Sequence, residues 1–321
     1  MTPESKKNKD KILVILGPTA TGKSDLAVKL GKIYNGEVIS ADSRQVYKKL
    51  NIGTGKITKR EMRGVPHHML DIISLVRLRS PQAKFFSVAE WKKQTEKKIV
   101  GIISRRKLPI ICGGTGFYIQ SIVDNVVVPE VPPNIKLRKK LEKKSVKELF
   151  AILKKLDWRR AKNIDAKNPI RLIRAIEIAT VLGSIPPIYR PNRNPYRFLQ
   201  IGLRLPDKDL KKRIHIRLFA RIRDGMIKEA QNLHKQGLSW KRMRSLGLEY
   251  RYLAEFLQKK ISRSEFVQKL KTEIWRYAKR QMTWFKRNKR IKWFKPEQVK
   301  KIGKRIDIFL HISKNISRRT I

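Results

Sequence analysis

Residues 11–27, KILVILGPTATGKSDLA, constrain the fold more than any other stretch of the chain. They open with an apolar run from Ile12 to Leu16, long enough for a buried strand. The chain then turns through Gly17, Pro18, Thr19, Ala20, Thr21, Gly22, Lys23 and Ser24 and enters a helical pattern carried by Leu26, Ala27 and Leu30. This is the G-x-x-x-x-G-K-[ST] phosphate loop, with the strand before it and the helix after it that the motif requires. Its two glycines let the backbone curl so that consecutive N–H groups face inward. The helix N-terminus adds partial positive charge and Lys23 a full one. Ser24 is placed to hold a Mg²⁺ ion bridging two phosphate groups. A di- or triphosphate ligand follows, while the loop alone leaves open which one and for what chemistry.

Two further strand ends belong on the same rim. In GEVISADS, residues 36–43, Val38 and Ile39 make a short strand and Asp42 falls just past its end. Ligands of open α/β sheets gather at the carboxyl ends of strands, which puts Asp42 beside the phosphate loop. A helix-capping role for Asp42 or Ser43 stays open. The apolar run 108–112 leads straight into GGTGFY and then a helical pattern over 119–123. Glycines at such a turn mean close approach of another backbone or a ligand, with Thr115 offering a hydroxyl, although a turn made for packing alone also fits. Cys112, the one cysteine, reads as buried strand filler and excludes an intrachain disulfide or a multi-cysteine zinc site. His67 and His68 are adjacent, so their side chains diverge and no metal site is expected there. Residues 74–84 read as a basic, irregular insertion, and 85–104 as an amphipathic helix burying Val88, Trp91, Thr95 and Ile99.

Charge then narrows the partners. Lys and Arg number 77 against 26 Asp and Glu, a formal net charge of +51. Such an excess opposes compaction unless something anionic is near, and nucleic acid is the first candidate. No stretch approaches the roughly 20 apolar residues of a membrane span, and residues 1–10 lack the apolar core of a secretory signal. A soluble, cytoplasmic setting is expected.

The second half is largely helical and basic. Residues 126–133 read as a hinge. Ser145 and Glu148 have capping-box spacing ahead of a face made by Leu149, Ile152, Leu153 and Leu156. Asn168 and Pro169 start a helix that buries Leu172, Ile173 and Ile176 and stops at Gly183, with Arg171 and Arg174 on an exposed face. Residues 184–195 form a linker, and 198–203 the last core strand. In the helix after Asp207, Leu210, Ile214, Leu218, Ile222 and Met226 repeat every four residues beside a ridge of Arg213, Arg217 and Arg221. One arginine of the ridge can reach the phosphate rim; solvated surface positions suit the other two. Residues 265–287 form a long helix in which basic groups alternate with aromatics, suiting phosphate contact and base stacking.

Taken together, GPTATGKS, ISADSRQVYKKLNIGTGK, GVPHHMLDI and GGTGFYI, in this order and spacing, resemble the tRNA dimethylallyltransferase (isopentenyl-tRNA transferase) family. The resemblance covers roughly residues 11–295, apart from 74–84. It implies an α/β fold: a phosphate-loop NTPase-like core with a parallel sheet and helices on both faces, over 11–125 and 196–295. A small all-helical tRNA-binding insertion would occupy 126–195 and a basic tail 296–321. The implied activity is transfer of a dimethylallyl group from dimethylallyl diphosphate to N6 of the adenosine 3′ of the anticodon, in tRNAs reading codons that begin with U. The chain would act with Mg²⁺, as a monomer, on the anticodon stem-loop, and away from membranes.

Asp42 would take the amine proton, with Thr115 and Arg217 completing the catalytic set and residues 17–24 holding the diphosphate. The family's tRNA-contacting segments match Asp42, Ser43, Arg44 and Gln45; Ile170, Arg171, Leu172, Ile173 and Arg174; and Arg280 and Gln281. The family's G-Y pair is replaced here by Gly247-Leu248-Glu249-Tyr250, so no contact is carried over in that segment. Two other functions share the phosphate loop. A small-molecule or nucleotide kinase would move the γ-phosphate of ATP instead of releasing diphosphate from the allylic donor. An RNA-binding NTPase would hydrolyse ATP on addition of RNA and modify no base.

Overall fold

Alternation along the strands splits the core into two. The structure, a computed structural model, describes residues 9–74, 86–187, 191 and 194–311. The strands are β1 (Lys11–Leu16), β2 (Gly36–Ala41), β3 (His67–His68), β4 (Leu108–Gly113), β5 (Arg197–Leu203) and β6 (Lys292–Phe294). All pair in parallel, in the order β3-β2-β4-β1-β5-β6. Parallel strands covered on both faces read as continuous apolar runs, as residues 12–16 and 108–112 do. Ile12, Val14, Leu16, Ile39 and Ile111 enter one core; Leu13, Ile15, Val38, Ile110 and Cys112 enter the other. The strand over 198–203 is not the last: β6 adds outside it, too short to show a period.

Helices cover both faces. In the first half they are α1 (Lys23–Ile33), α2 (Lys59–Met62), α3 (Val88–Ser104) and α4 (Gly116–Val123). Ser87 and Glu90 form a capping box that starts α3, which buries Trp91, Thr95 and Ile99. Most of the insertion expected over 74–84 lies outside the described residues.

A separate helical unit follows, made of α5 (Ile135–Leu141), α6 (Val146–Leu156), α7 (Trp158–Lys162) and α8 (Pro169–Leu182). Its caps are the ones the sequence shows: Ser145 with Glu148, and Asn168 ahead of Pro169. It has its own core of Leu141, Leu149, Leu153, Leu172, Ile173 and Ile176. Each fully buried leucine there contributes about 1.5–3 kcal/mol. Leu156 was expected on this buried face but is 39% exposed, because α6 ends there and Asp157 caps α7 instead. Glu177 is buried; burial alone would raise its pKa, but the bidentate Arg138 pair and the Asn134 N–H hold it below the usual carboxylate range.

Returning to the sheet, the chain forms α9 (Asp207–Arg223), α10 (Met226–Lys235), α11 (Trp240–Ser245), α12 (Leu248–Leu257), α13 (Arg263–Lys286) and α14 (Val299–Leu310). Leu210, Ile214 and Leu218 are buried as their spacing predicts. Met226 is buried too, but on the next helix, because Gly225 at φ 104° breaks the run. The region after 295 is more than a tail. α14 inserts Ile302 and Ile306 into the core that α1 covers, and Tyr34 donates its O–H to Asp307 at 2.8 Å. Desolvation, with the Asp307 carboxylate beside it, pushes the Tyr34 phenol well above its usual value.

Candidate active site

The loop between β1 and α1 curls at the carboxyl edge of the sheet. Gly17 sits at φ 142° with Leu203 of β5 directly against it, so no side chain fits there. Thr21 is fully buried and donates its hydroxyl to the Pro18 carbonyl at 2.9 Å. Lys23 donates to the same carbonyl at 2.6 Å. Burial lowers the Lys23 ammonium to about 8; Arg217 pushes the same way, against the pull of Cys112 and Asp42. Ser24 is exposed in the first turn of α1.

Asp42 emerges from the end of β2 into a turn, not a helix. Its Oδ1 accepts from the backbone N–H of Arg44 at 2.8 Å and of Gln45 at 3.3 Å. Its second oxygen has no hydrogen-bond partner among the described residues. The Thr115 hydroxyl oxygen accepts from the Ser43 N–H at 3.1 Å, which ties the turn after β4 to the turn after β2. Gln45 reaches the other way and donates to the carbonyls of Thr54 and Gly55.

These turns enclose a cavity of about 850 Å³. Lys23, Ser24, Asp42, Arg44 and Arg217 all line it, so the phosphate loop and the carboxylate face one space. Arg213 and Arg221 line it as well; Arg213 stays exposed, as expected, whereas the Arg221 side chain is only 15% exposed, which corrects its expected place on a solvated surface. The α9 ridge borders the cavity because Leu210, Ile214 and Leu218 fix its other side in the core. Arg221 is held there by the Gly53 carbonyl at 3.0 Å and the Glu249 carboxylate at 3.1 Å. Burial lowers the pKa of Arg217, and Arg221 beside it adds to the effect. Lys56 joins the wall, bonded to the Tyr47 carbonyl and to Asp71; burial lowers its pKa against the pull of Asp71.

Gln281 lies in the wall of this cavity. It is 7% exposed, accepts the Thr19 N–H at 2.9 Å and donates to the Gly114 carbonyl at 2.9 Å. It therefore clamps the phosphate loop to the glycine turn. A side chain on Gly114 would collide with it, which is why that turn needs a glycine. Arg280 is exposed, with its guanidinium 6.0 Å from the centre of the Tyr277 ring.

On the helical unit, residues 170–174 divide by helical phase. Ile170 is 79% exposed, and Arg171 points outward, 3.5 Å from Asp165. Leu172 and Ile173 direct their side chains into the unit's core. Arg174 turns inward and donates to the Val131 carbonyl at 2.9 Å and to Glu177. His68 pairs with buried Glu37 at 2.6 Å, and no cluster of three or more His, Cys, Asp or Glu suited to a metal occurs among the described residues. No described helix is long and apolar enough to cross a membrane.

Comparison with known proteins gives the chain's relatives. The family profile described as IPP transferase matches residues 45–288, and one described as isopentenyl transferase matches 10–79. A Treponema denticola protein named tRNA dimethylallyltransferase 2 is 45% identical over 284 residues, covering 87% of this chain and 93% of its own. The tRNA dimethylallyltransferase of Halothermothrix orenii is 38% identical, covering 88% and 87%. Among solved structures, the tRNA isopentenylpyrophosphate transferase of Bacillus halodurans superposes with a TM-score of 0.70 at 34% identity, over 94% of this chain and 97% of that one.

Proposed function

The chain belongs to the IPP transferase family, and from that premise we propose that it is a tRNA dimethylallyltransferase. The donor is dimethylallyl diphosphate and the acceptor is N6 of the adenosine 3′ of the anticodon, in tRNAs reading codons that begin with U. The observation that carries the reading is one cavity lined by both the phosphate-loop Lys23 and Asp42. An adenine amine is a weak nucleophile, because its lone pair is delocalised into the ring. Asp42 raises its reactivity by accepting the N6 proton as the C–N bond forms. The allylic C–O bond breaks with its electron pair going to the diphosphate, where charge develops. Lys23, the loop amides and Arg217 face that charge.

Magnesium fits this donor set. It takes one or two protein oxygens and fills its remaining positions with substrate phosphates and water. Ser24 supplies one oxygen beside the loop, so no protein cage is required. When bound, the ion would offset charge on the leaving diphosphate.

The adenine reaches the cavity by leaving its stack, which costs a few kcal/mol and least in a single-stranded loop. The helical unit, within the interval 126–195, is assigned to the RNA stem. Arg171 is its phosphate contact and Arg174 its internal brace. Labelled dimethylallyl diphosphate incubated with tRNA, followed by digestion, should yield prenylated adenosine. Asp42→Ala should abolish that product while tRNA still binds. Normal transfer by this variant would overturn the general-base role, and γ-phosphate transfer from ATP would favour a kinase.

A further inference from the structure

Glu229 on α10 makes four hydrogen bonds with one carboxylate. Its Oε2 accepts from the backbone N–H of Asn51 at 3.0 Å and Ile52 at 2.8 Å. Its Oε1 accepts from the Gly53 N–H at 3.0 Å and the Tyr250 O–H at 2.7 Å. Three consecutive backbone N–H groups converging on one point make a nest, a concavity suited to an anion. Here the anion is a side chain from a distant helix.

The nest is the first half of a loop that lines the cavity, with Asn51 and Ile52 themselves in the lining. Thr54, Gly55 and Lys56 all face that space. Gly55 abuts Arg217: a Cβ there would lie 3.4 Å from the guanidinium. Arg221 hangs on the Gly53 carbonyl, one of the three nest residues. The position of the nest therefore sets the wall against which both arginines rest.

We propose that Glu229 is a positioning residue for the transfer reaction: its carboxylate fills the nest and holds residues 51–56 so that Arg217 and Arg221 aim at the donor's phosphates. The inference rests on the transferase reading above. Glu229 does not line the reaction cavity. It opens instead onto an adjoining surface pocket of about 320 Å³, which Lys49 and Lys228 also line and which shares Asn51, Ile52 and Asp224 with the cavity. A small carboxylate can enter that pocket and reach the nest once the side chain is removed.

The test is Glu229→Ala with and without acetate. We expect kcat to fall by about a hundredfold, the effect of a displacement near 1 Å in a positioned site, with tRNA affinity unchanged. Acetate should restore part of kcat in the variant and leave the wild type unaffected. Transfer at the wild-type rate overturns the proposal, as does a loss in the folded variant that acetate leaves in place. Should Glu229→Ala fail to fold, amide exchange at residues 51–53 in Glu229→Gln decides. A neutral amide offers one acceptor oxygen to these donors, so their protection should drop, and unchanged protection overturns the proposal. A wild-type chain that transfers no prenyl group sinks the transferase reading, and the same exchange comparison then judges the Glu229 clamp by itself.

Discussion

Replacing Gln281 separates a clamp from an RNA contact. Gln281→Leu keeps most of the side-chain volume and removes both polar ends, leaving the Thr19 N–H and the Gly114 carbonyl without partners. Each stranded backbone group costs about 1–3 kcal/mol when water cannot replace the lost partner. Gln281 lines the reaction cavity, so water can reach part of the gap. The sum therefore falls toward the lower end, about 2 kcal/mol for the pair. Urea unfolding should show this as a lower midpoint with an unchanged slope. The catalytic effect should be larger than the stability effect. Gln281 fixes the phosphate loop relative to the glycine turn, and a 1 Å slip between such parts costs about a hundredfold in rate. Single-turnover transfer with saturating tRNA should show that fall, while tRNA affinity stays at the wild-type value. A variant that keeps its unfolding midpoint and transfer rate but loses tRNA affinity would refute the clamp and make Gln281 an RNA contact.

Four other outcomes follow from the charges. Lys23 must be an ammonium to hold the donor, and its pKa is lowered to about 8, so donor affinity should weaken as pH rises through that value; Lys23→Arg should remove the step. The neighbouring Cys112 thiol, pushed up to about 12 by burial, titrates outside that window. For Glu37, burial opposes ionisation, but hydrogen bonds from Arg105, His68 and Lys107 outweigh it and hold the carboxyl at about 2, against 4.5 when unfolded. A depressed carboxylate stabilises above its unfolded pKa and loses that contribution as pH falls, so the stability gap between wild type and Glu37→Gln should close between those two values. On the helical unit, Arg171→Ala should weaken tRNA binding and flatten its salt dependence without changing thermal stability. Arg174→Ala should lower stability first, because it removes a partner from buried Glu177.

What the sequence reveals here depends on how far apart the interacting parts lie. The phosphate loop is legible because strand, glycines and helix are consecutive, and Asp42 because strand polarity alone decides which rim it joins. Gln281 is not legible as a clamp: its partner Thr19 lies 262 residues away, and an A-K-R-Q run on a basic helix reads equally well as an RNA surface. Glu229 is hidden for the same reason, with its nest 176 residues upstream at Gly53. α14 is a different case. Ile302 and Ile306 have helical spacing, yet four exposed cations, Lys300, Lys301, Lys304 and Arg305, crowd the same stretch and mask a narrow apolar stripe. The segment 170–174 shows the limit of carrying a motif over whole. Its period already separates buried Leu172 and Ile173 from their neighbours, so the five side chains do not share one face of the helix. Period does not separate Arg171 from Arg174. What does is Glu177, an acid one turn beyond Arg174 that the fold buries, and a buried acid draws in whichever cation can reach it. A net charge of +51 counts the cations available for RNA; the few buried acids decide which are already taken.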